Sequence, residues 1–227
     1  MRLLLLHGFT ATGRSWAPVR RLLDGQRYPA VLAPDLRAPS IPDQVAQLRQ
    51  SEPYALCGYS MGGRIALHLA LSRPDLVARL VLVSATAGIE DAAERAARRA
   101  ADERLAEEVE RDGAEAFARR WAAGPLFAGQ PPEVARAAHE DRLRSDAATL
   151  AASLRGLGTG VMEPVWDRLH ELTMPATILA GEHDPKFRTI GERLARELPE
   201  GRLRVVPGAG HALHLERPEA VAAALGG

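Results

Sequence analysis

Three residues in this chain have the types that catalysis through a hydroxyl requires, and they stand far apart in the sequence: Ser60, Asp184 and His211. A serine hydroxyl is a weak base and a weak nucleophile until an imidazole takes its proton. The imidazole in turn needs a carboxylate to fix its tautomer and to stabilise its charged form. Ser60 is the centre of Gly58-Tyr59-Ser60-Met61-Gly62, the Gly-x-Ser-x-Gly pattern of a sharp strand-to-helix turn. Residues without side chains belong on either side of such a turn, because strand and helix backbones crowd there. An apolar run at 54–57 precedes it, and apolar residues at helical spacing follow it. Asp184 and His211 each come just after a short apolar run, 176–180 and 202–206, and Gly208-Ala209-Gly210 gives His211 a flexible approach. His214 and His183 are rivals for the base and Asp35 for the carboxylate, although each also reads as a structural residue of a helix or turn. His68, His139 and His170 fall on helical stretches and read as structural.

The elements that would position these residues alternate. A strand at 3–6 ends at His7-Gly8-Phe9-Thr10, a helix covers about 15–23, and a strand covers 29–33. A short helix at 44–49 leads to the strand before Ser60, the helix after Ser60 runs to 72, and an apolar strand spans 76–83. Strands alternating with helices predict a parallel sheet covered on both faces, with sites collecting at the carboxyl ends of its strands. The His-Gly turn after the first strand suits an oxyanion hole, in which the backbone N–H groups of Phe9 and Met61 point at one developing negative charge. The chain order serine, aspartate, histidine is that of the α/β-hydrolases, so the expected architecture is an α/β-hydrolase fold with a mostly parallel sheet. Residues 88–159 break the pattern. They are rich in Ala, Arg and Glu and contain no convincing strand. Turn signals at Asp112-Gly113, Gly124-Pro125, Gln130-Pro131-Pro132 and Gly156-Leu157-Gly158 divide them into about four helices. The expected organisation is a core of 1–87 and 160–227 interrupted by a helical lid at 88–159.

Composition limits the function classes. The 227 residues carry 29 basic and 29 acidic side chains, a formal net charge of zero, which gives no electrostatic case for nucleic acid or an anionic membrane. Every basic residue but Lys186 is arginine, so a single arginine needs positional support before it counts as functional. The only cysteine, Cys57, excludes an internal disulfide and lies in the strand leading to Ser60, where a small buried residue is expected. No cluster of metal ligands and no glycine-rich phosphate loop occurs, so neither metal nor cofactor is expected. Four leucines at 3–6 are too few for a signal peptide, and no stretch is long enough to span a membrane, which points to a cytoplasmic protein. A monomer or small homo-oligomer is expected.

Several stretches together are more specific. His7-Gly8-Phe9, Gly58-Tyr59-Ser60-Met61-Gly62-Gly63-Arg64, Leu154-Arg155-Gly156-Leu157-Gly158-Thr159-Gly160, Trp166-Asp167-Arg168-Leu169, Gly181-Glu182-His183-Asp184-Pro185-Lys186-Phe187 and Gly208-Ala209-Gly210-His211 resemble the 2-succinyl-6-hydroxy-2,4-cyclohexadiene-1-carboxylate synthases of menaquinone biosynthesis nearly end to end. The resemblance implies a lyase built on hydrolase parts. It would eliminate pyruvate from 2-succinyl-5-enolpyruvyl-6-hydroxy-3-cyclohexene-1-carboxylate, with Ser60 as the base, His211 as its activator and Asp184 orienting the histidine. It also implies a small-molecule polycarboxylate partner held by Arg64, Arg98 and Arg144, with Tyr59 and Trp121 beside them. The sequence departs from the wider superfamily in starting at the strand before His7 and in having Arg37-Ala38-Pro39 where a Gly-His-Gly turn is common. A carboxylesterase acting on small esters would share the triad but should line its lid with apolar groups. A binding module without catalysis is a weaker rival, because it need not keep all three triad residues.

Overall fold

The structure, a computed structural model, describes residues 1–226. In chain order its elements are β1 (Arg2–Leu6), α1 (Ala17–Arg20), β2 (Ala30–Leu32), α2 (Ile41–Leu48), β3 (Tyr54–Tyr59), α3 (Met61–Ser72), β4 (Val77–Val83), α4 (Ala92–Asp112), α5 (Ala114–Ala122), α6 (Pro132–Arg142), α7 (Ala147–Leu157), β5 (Ala176–Gly181), α8 (Pro185–Glu197), β6 (Gly201–Val206), α9 (Leu213–Glu216) and α10 (Pro218–Gly226). The six strands pair in parallel in the order β2-β1-β3-β4-β5-β6. This is the α/β-hydrolase architecture that the alternating pattern predicts.

Burial explains which run takes which place. β3 and β5 are buried along their whole length and β1 and β4 along most of it, as expected of strands covered on both faces. Successive side chains alternate between two apolar layers. Leu4, Leu6, Leu56, Leu80, Leu82 and Ile178 face one layer with Ile65, Leu69 and Leu194 of α3 and α8. Leu3, Leu5, Ala55, Cys57, Val81 and Val83 face the other with Trp16, Val19, Leu213, Val221 and Leu225. The edges are β2, only three residues long, and β6, which turns Arg202 and Arg204 outward, two devices that discourage further strand pairing.

Local boundaries shift from the sequence expectation for identifiable reasons. The helix expected over 15–23 is split into a 3-10 turn at Gly13–Trp16 and the short α1, because the Thr12 side chain caps the turn and Pro18 starts the helix anew. α2 starts before Gln44 because Ser40 caps it by accepting from the Asp43 N–H. α4 runs without interruption to Asp112, and Gly113, whose φ of 85° favours glycine, ends it at the expected turn signal.

Four helices, α4 to α7, fill the interval between β4 and β5. They share a small core of Ala106, Val109, Phe117, Leu150, Ala151 and Leu154, onto which Phe9 of the β1 loop and Trp121 pack. Arg155 of α7 reaches Glu103 and Glu110 of α4, and Asp141 of α6 accepts the N–H and the hydroxyl of Thr12 at 2.8 and 2.6 Å. The helical insertion is therefore tied to the loop after β1. Among the described residues, no helix is long and apolar enough to cross a membrane.

Burial lowers the pKa of three histidines. His7 is lowered while its ring nitrogens contact Gly8 O and the Leu36 N–H, His68 falls to about 4, and His214, packed against Tyr59 and Trp16, falls to about 3. Each stays neutral in the folded chain and takes up a proton near pH 6.5 once unfolded. Stability should thus be complete above pH 6.5 and fall as the pH drops from there toward 4, by about 1.4 kcal/mol per pH unit for each of His68 and His214, with His7 adding in the same direction. Denaturant unfolding at pH 7.5 and 5.5 checks this, and His68→Leu should reduce the slope. A stability that is flat or rising over that interval would contradict it.

Candidate active site

The site begins with a steric demand. A Cβ on Gly58 would lie 2.3 Å from Gly62 O, and one on Gly62 would lie 2.1 Å from Leu6 O, so the start of α3 can pack this closely against β3 and the end of β1 only through glycine. Ser60, between them, is held at φ 50° and ψ −108°, a conformation that costs about 1–3 kcal/mol for a non-glycine residue. Its N–H donates to Val83 O at 2.9 Å, which fixes it to the end of β4. The result is a hydroxyl presented at the carboxyl edge of the sheet.

Asp184 and His211 arrive at that edge from β5 and β6. His211 Nδ1 lies 2.7 Å from Asp184 Oδ2 and its Nε2 lies 3.2 Å from Ser60 Oγ. A carboxylate only accepts, so Nδ1 carries the hydrogen and the Nε2 lone pair is left to accept from the serine. Asp184 is buried and also caps α8 by accepting from the Phe187 N–H at 3.3 Å. The His211 ring is enclosed by Phe187 and Tyr59, with centroids 4.6 and 5.4 Å away. The other candidates have different work. Asp35 accepts from the Gly13 N–H and pairs with Arg37, His183 is exposed, and His214 is buried without a hydrogen bond at either nitrogen.

The backbone around His211 rests on Glu216, which the sequence did not single out. The buried Glu216 carboxylate accepts from the Gly210 and Ala212 N–H groups, the amides on either side of His211, and Ser84 Oγ donates to His211 O at 2.9 Å. Met61 opens α3, where an N–H has no intrahelical acceptor, and among the described residues the Phe9 N–H has no acceptor either. Both residues line the cavity of Ser60. Two amides without an acceptor thus belong to residues that line the cavity of the hydroxyl.

That cavity, about 170 Å3, holds Ser60, His211, Arg64, Arg98, Trp121 and Lys186 among its lining residues, and none of the lining residues is acidic. Arg64 is buried and donates from Nη1 to Leu157 O at 2.8 Å. Burial lowers its pKa to about 10, which still leaves it charged at neutral pH. Lys186 carried a signal in the sequence as the sole lysine, two residues past Asp184. A second cavity of about 260 Å3 shares Phe9 with the first and is lined by Tyr59, Phe127, His214 and Arg142.

Two expectations need correction. Tyr59 lines the second cavity rather than that of Ser60, because its ring fills the space beside Gly8 and stacks on His214. Arg144 does not reach the Ser60 cavity. Its side chain is half exposed and its nearest carboxylate is Asp141 at 3.8 Å. Arg142, two residues earlier, is the buried one: Nε donates to Thr10 Oγ1, the guanidinium lies 4.8 Å from the Phe127 ring, and Nη1 has no partner.

Comparison with known proteins agrees with this geometry. A sequence model described as the Alpha/beta hydrolase family matches residues 3–224. The 2-succinyl-6-hydroxy-2,4-cyclohexadiene-1-carboxylate synthase of Klebsiella pneumoniae is 32% identical, covering 98% of this chain and 91% of its own. A Bacillus subtilis protein provisionally named for the same activity is 35% identical, over 94% of this chain and 84% of its own. The solved structure of MenH from S. aureus superposes with a TM-score of 0.90 at 28% identity, covering 99% of this chain and 91% of that one.

Removing the carboxylate of Glu216 leaves two amides short of an acceptor and loosens the backbone carrying His211. Glu216→Ala should slow covalent labelling of Ser60 by an activated fluorophosphonate about 10-fold, the equivalent of one lost hydrogen bond to a charged group, while the protein remains folded. Labelling at the wild-type rate would show that Glu216 does not hold the histidine in place.

Proposed function

The chain belongs to the alpha/beta hydrolase family and, within it, to the 2-succinyl-6-hydroxy-2,4-cyclohexadiene-1-carboxylate synthases, and from that premise we propose that it eliminates pyruvate from 2-succinyl-5-enolpyruvyl-6-hydroxy-3-cyclohexene-1-carboxylate in menaquinone biosynthesis. The observation that carries the reading is one cavity in which a hydrogen-bonded Ser60, His211 and Asp184 set faces Arg64, Arg98 and Lys186 with no acidic group among its lining residues. A neutral ester gains little from three cations, whereas a substrate with several carboxylates needs them.

The chemistry follows from which proton must leave. The ring carbon bearing the succinyl group is acidified by the adjacent ketone. Ser60 Oγ takes its proton as His211 Nε2 takes the hydroxyl proton, and Asp184 stabilises the resulting imidazolium. The electron pair left behind moves onto the ketone oxygen, where the Phe9 and Met61 amides receive the charge. Its return through the ring double bond breaks the C–O bond to the enolpyruvyl group, which leaves and becomes pyruvate on gaining a proton. No bond forms between serine and substrate. Arg64 and Arg98 hold substrate carboxylates, Trp121 packs beside them, and the helical insertion at 88–159 is the lid that closes the cavity.

Pyruvate release, followed through reduction by lactate dehydrogenase, should proceed at about 1 to 1000 per second at saturation. Ser60→Ala and His211→Ala should each remove most activity, and the double variant should be scarcely worse, because the two act as one unit. Arg64→Ala should lower kcat/KM about 10- to 150-fold, the loss of a charge-assisted hydrogen bond, with lysine restoring only part. Efficient cleavage of neutral esters with no pyruvate formed would move the assignment to a carboxylesterase.

A further inference from the structure

Asp102 approaches Arg98 and Arg64 from behind the Ser60 cavity. It lies on α4 with its side chain only 6% exposed, and Oδ1 accepts from Arg98 Nε at 2.8 Å. Oδ2 is buried and has no hydrogen-bond partner. The chain leaving α7 passes directly over it: a Cβ on Gly158 would lie 2.7 Å from Asp102 Oδ2 and 2.4 Å from Leu154 O, so this passage requires glycine. Leu157, the residue before, supplies the carbonyl that Arg64 Nη1 holds, and Leu157 and Gly158 both line the cavity. Arg64, Arg98, Asp102 and the α7 exit therefore form one packed unit, in which the charges of Arg98 and Asp102 both act on Arg64.

The contact geometry decides what such a carboxylate does. A guanidinium has two donor edges, and a carboxylate bound at Nε leaves the Nη edge for a second acceptor. Two arginines converging on one cavity, Arg64 buried and Arg98 with its side chain 42% exposed, also repel each other, and a buried negative charge behind them offsets that repulsion. We propose that Asp102 is a positioning residue for substrate binding: it holds Arg98 by its Nε edge so that the opposite edge faces into the cavity, and its charge allows Arg64 and Arg98 to stand together there before any substrate carboxylate arrives. It touches neither the reacting atoms nor the triad. This rests on the polycarboxylate reading above, and its effect belongs to substrate binding rather than to proton transfer.

The test compares Asp102→Asn, which keeps an acceptor without the charge, Asp102→Ala, which loses both, Arg98→Ala, and the double variant Asp102→Ala with Arg98→Ala. For pyruvate release, Asp102→Asn should raise KM about 10-fold or more and Asp102→Ala further, with kcat within about 3-fold of wild type. The double variant should be no more than about 2-fold worse than Arg98→Ala alone, since Asp102 acts through it. A purely structural Asp102 would give a normal KM in Asp102→Asn and only a lower melting temperature in Asp102→Ala, and either that pattern or multiplying losses would overturn the inference. A second readout does not depend on turnover. In 15N NMR the Arg98 Nε–H should exchange with water at least about 10-fold more slowly than those of exposed arginines, and Asp102→Ala should abolish the difference. Slow exchange with no pyruvate formed by the wild-type protein would remove the proposed reaction and leave the grip on Arg98 standing. Fast exchange in the wild type would refute the positioning role even if pyruvate is released.

Discussion

The meeting of β3 and α3 at Ser60 is the constraint on which the rest of the site depends. Gly58 lets β3 approach α3 and Gly62 lets α3 approach the end of β1, at distances that no side chain permits, and the serine between them sits at a positive φ. That strain is held by the surrounding sheet, chiefly through the Ser60 N–H on Val83 O. Once the hydroxyl stands at the carboxyl edge, parallel topology delivers the remaining parts. β1 ends next to it and supplies Phe9, β5 ends at Asp184, and β6 leads to His211. A sheet with an antiparallel strand at any of these places would send one of these residues to the opposite edge.

Charge is distributed as unevenly as the composition is balanced. A chain with equal numbers of acids and bases assembles a cavity lined by two arginines and a lysine without an acid among them. Several other arginines are paired at the surface, such as Arg73 with Asp75, Arg168 with Glu171 and Arg193 with Glu90. Such exposed pairs contribute little to stability. The cavity cations differ because their partners are few: Arg64 has a single carbonyl, Arg98 a single carboxylate held at its Nε, and Lys186 lies near the Phe187 ring. Donors left open in this way suit an anionic ligand.

The sequence carried the parts whose signals are local. The glycine spacing around Ser60, the polar residues just past apolar strands and the turn residues dividing α4 to α7 each depend on neighbours within a few positions, and the structure places them accordingly. Glu216, Asp102 and Arg142 were not legible, because each acts on a segment distant in sequence: Gly210 and Ala212 across a loop, the α7 exit, and Thr10. In a chain whose basic residues are almost all arginine, one more arginine on a helix is no signal. Arg142 closes α6 and is buried, whereas Arg144 lies in the turn just past the helix with its side chain half exposed, a difference that local residue types do not announce. Tyr59 was misplaced for a related reason: its position next to Ser60 is fixed by sequence, but strand alternation sends its ring to the other face.

The central claim is that Ser60 removes a proton and forms no bond to the substrate. Intact-protein mass spectrometry of samples quenched with acid during the first turnovers with the enolpyruvyl substrate tests it most directly. The account predicts the mass of the unmodified chain at every time point while pyruvate accumulates. A transient increase in mass on Ser60, rising and decaying at the rate of turnover, would contradict it and establish covalent catalysis instead.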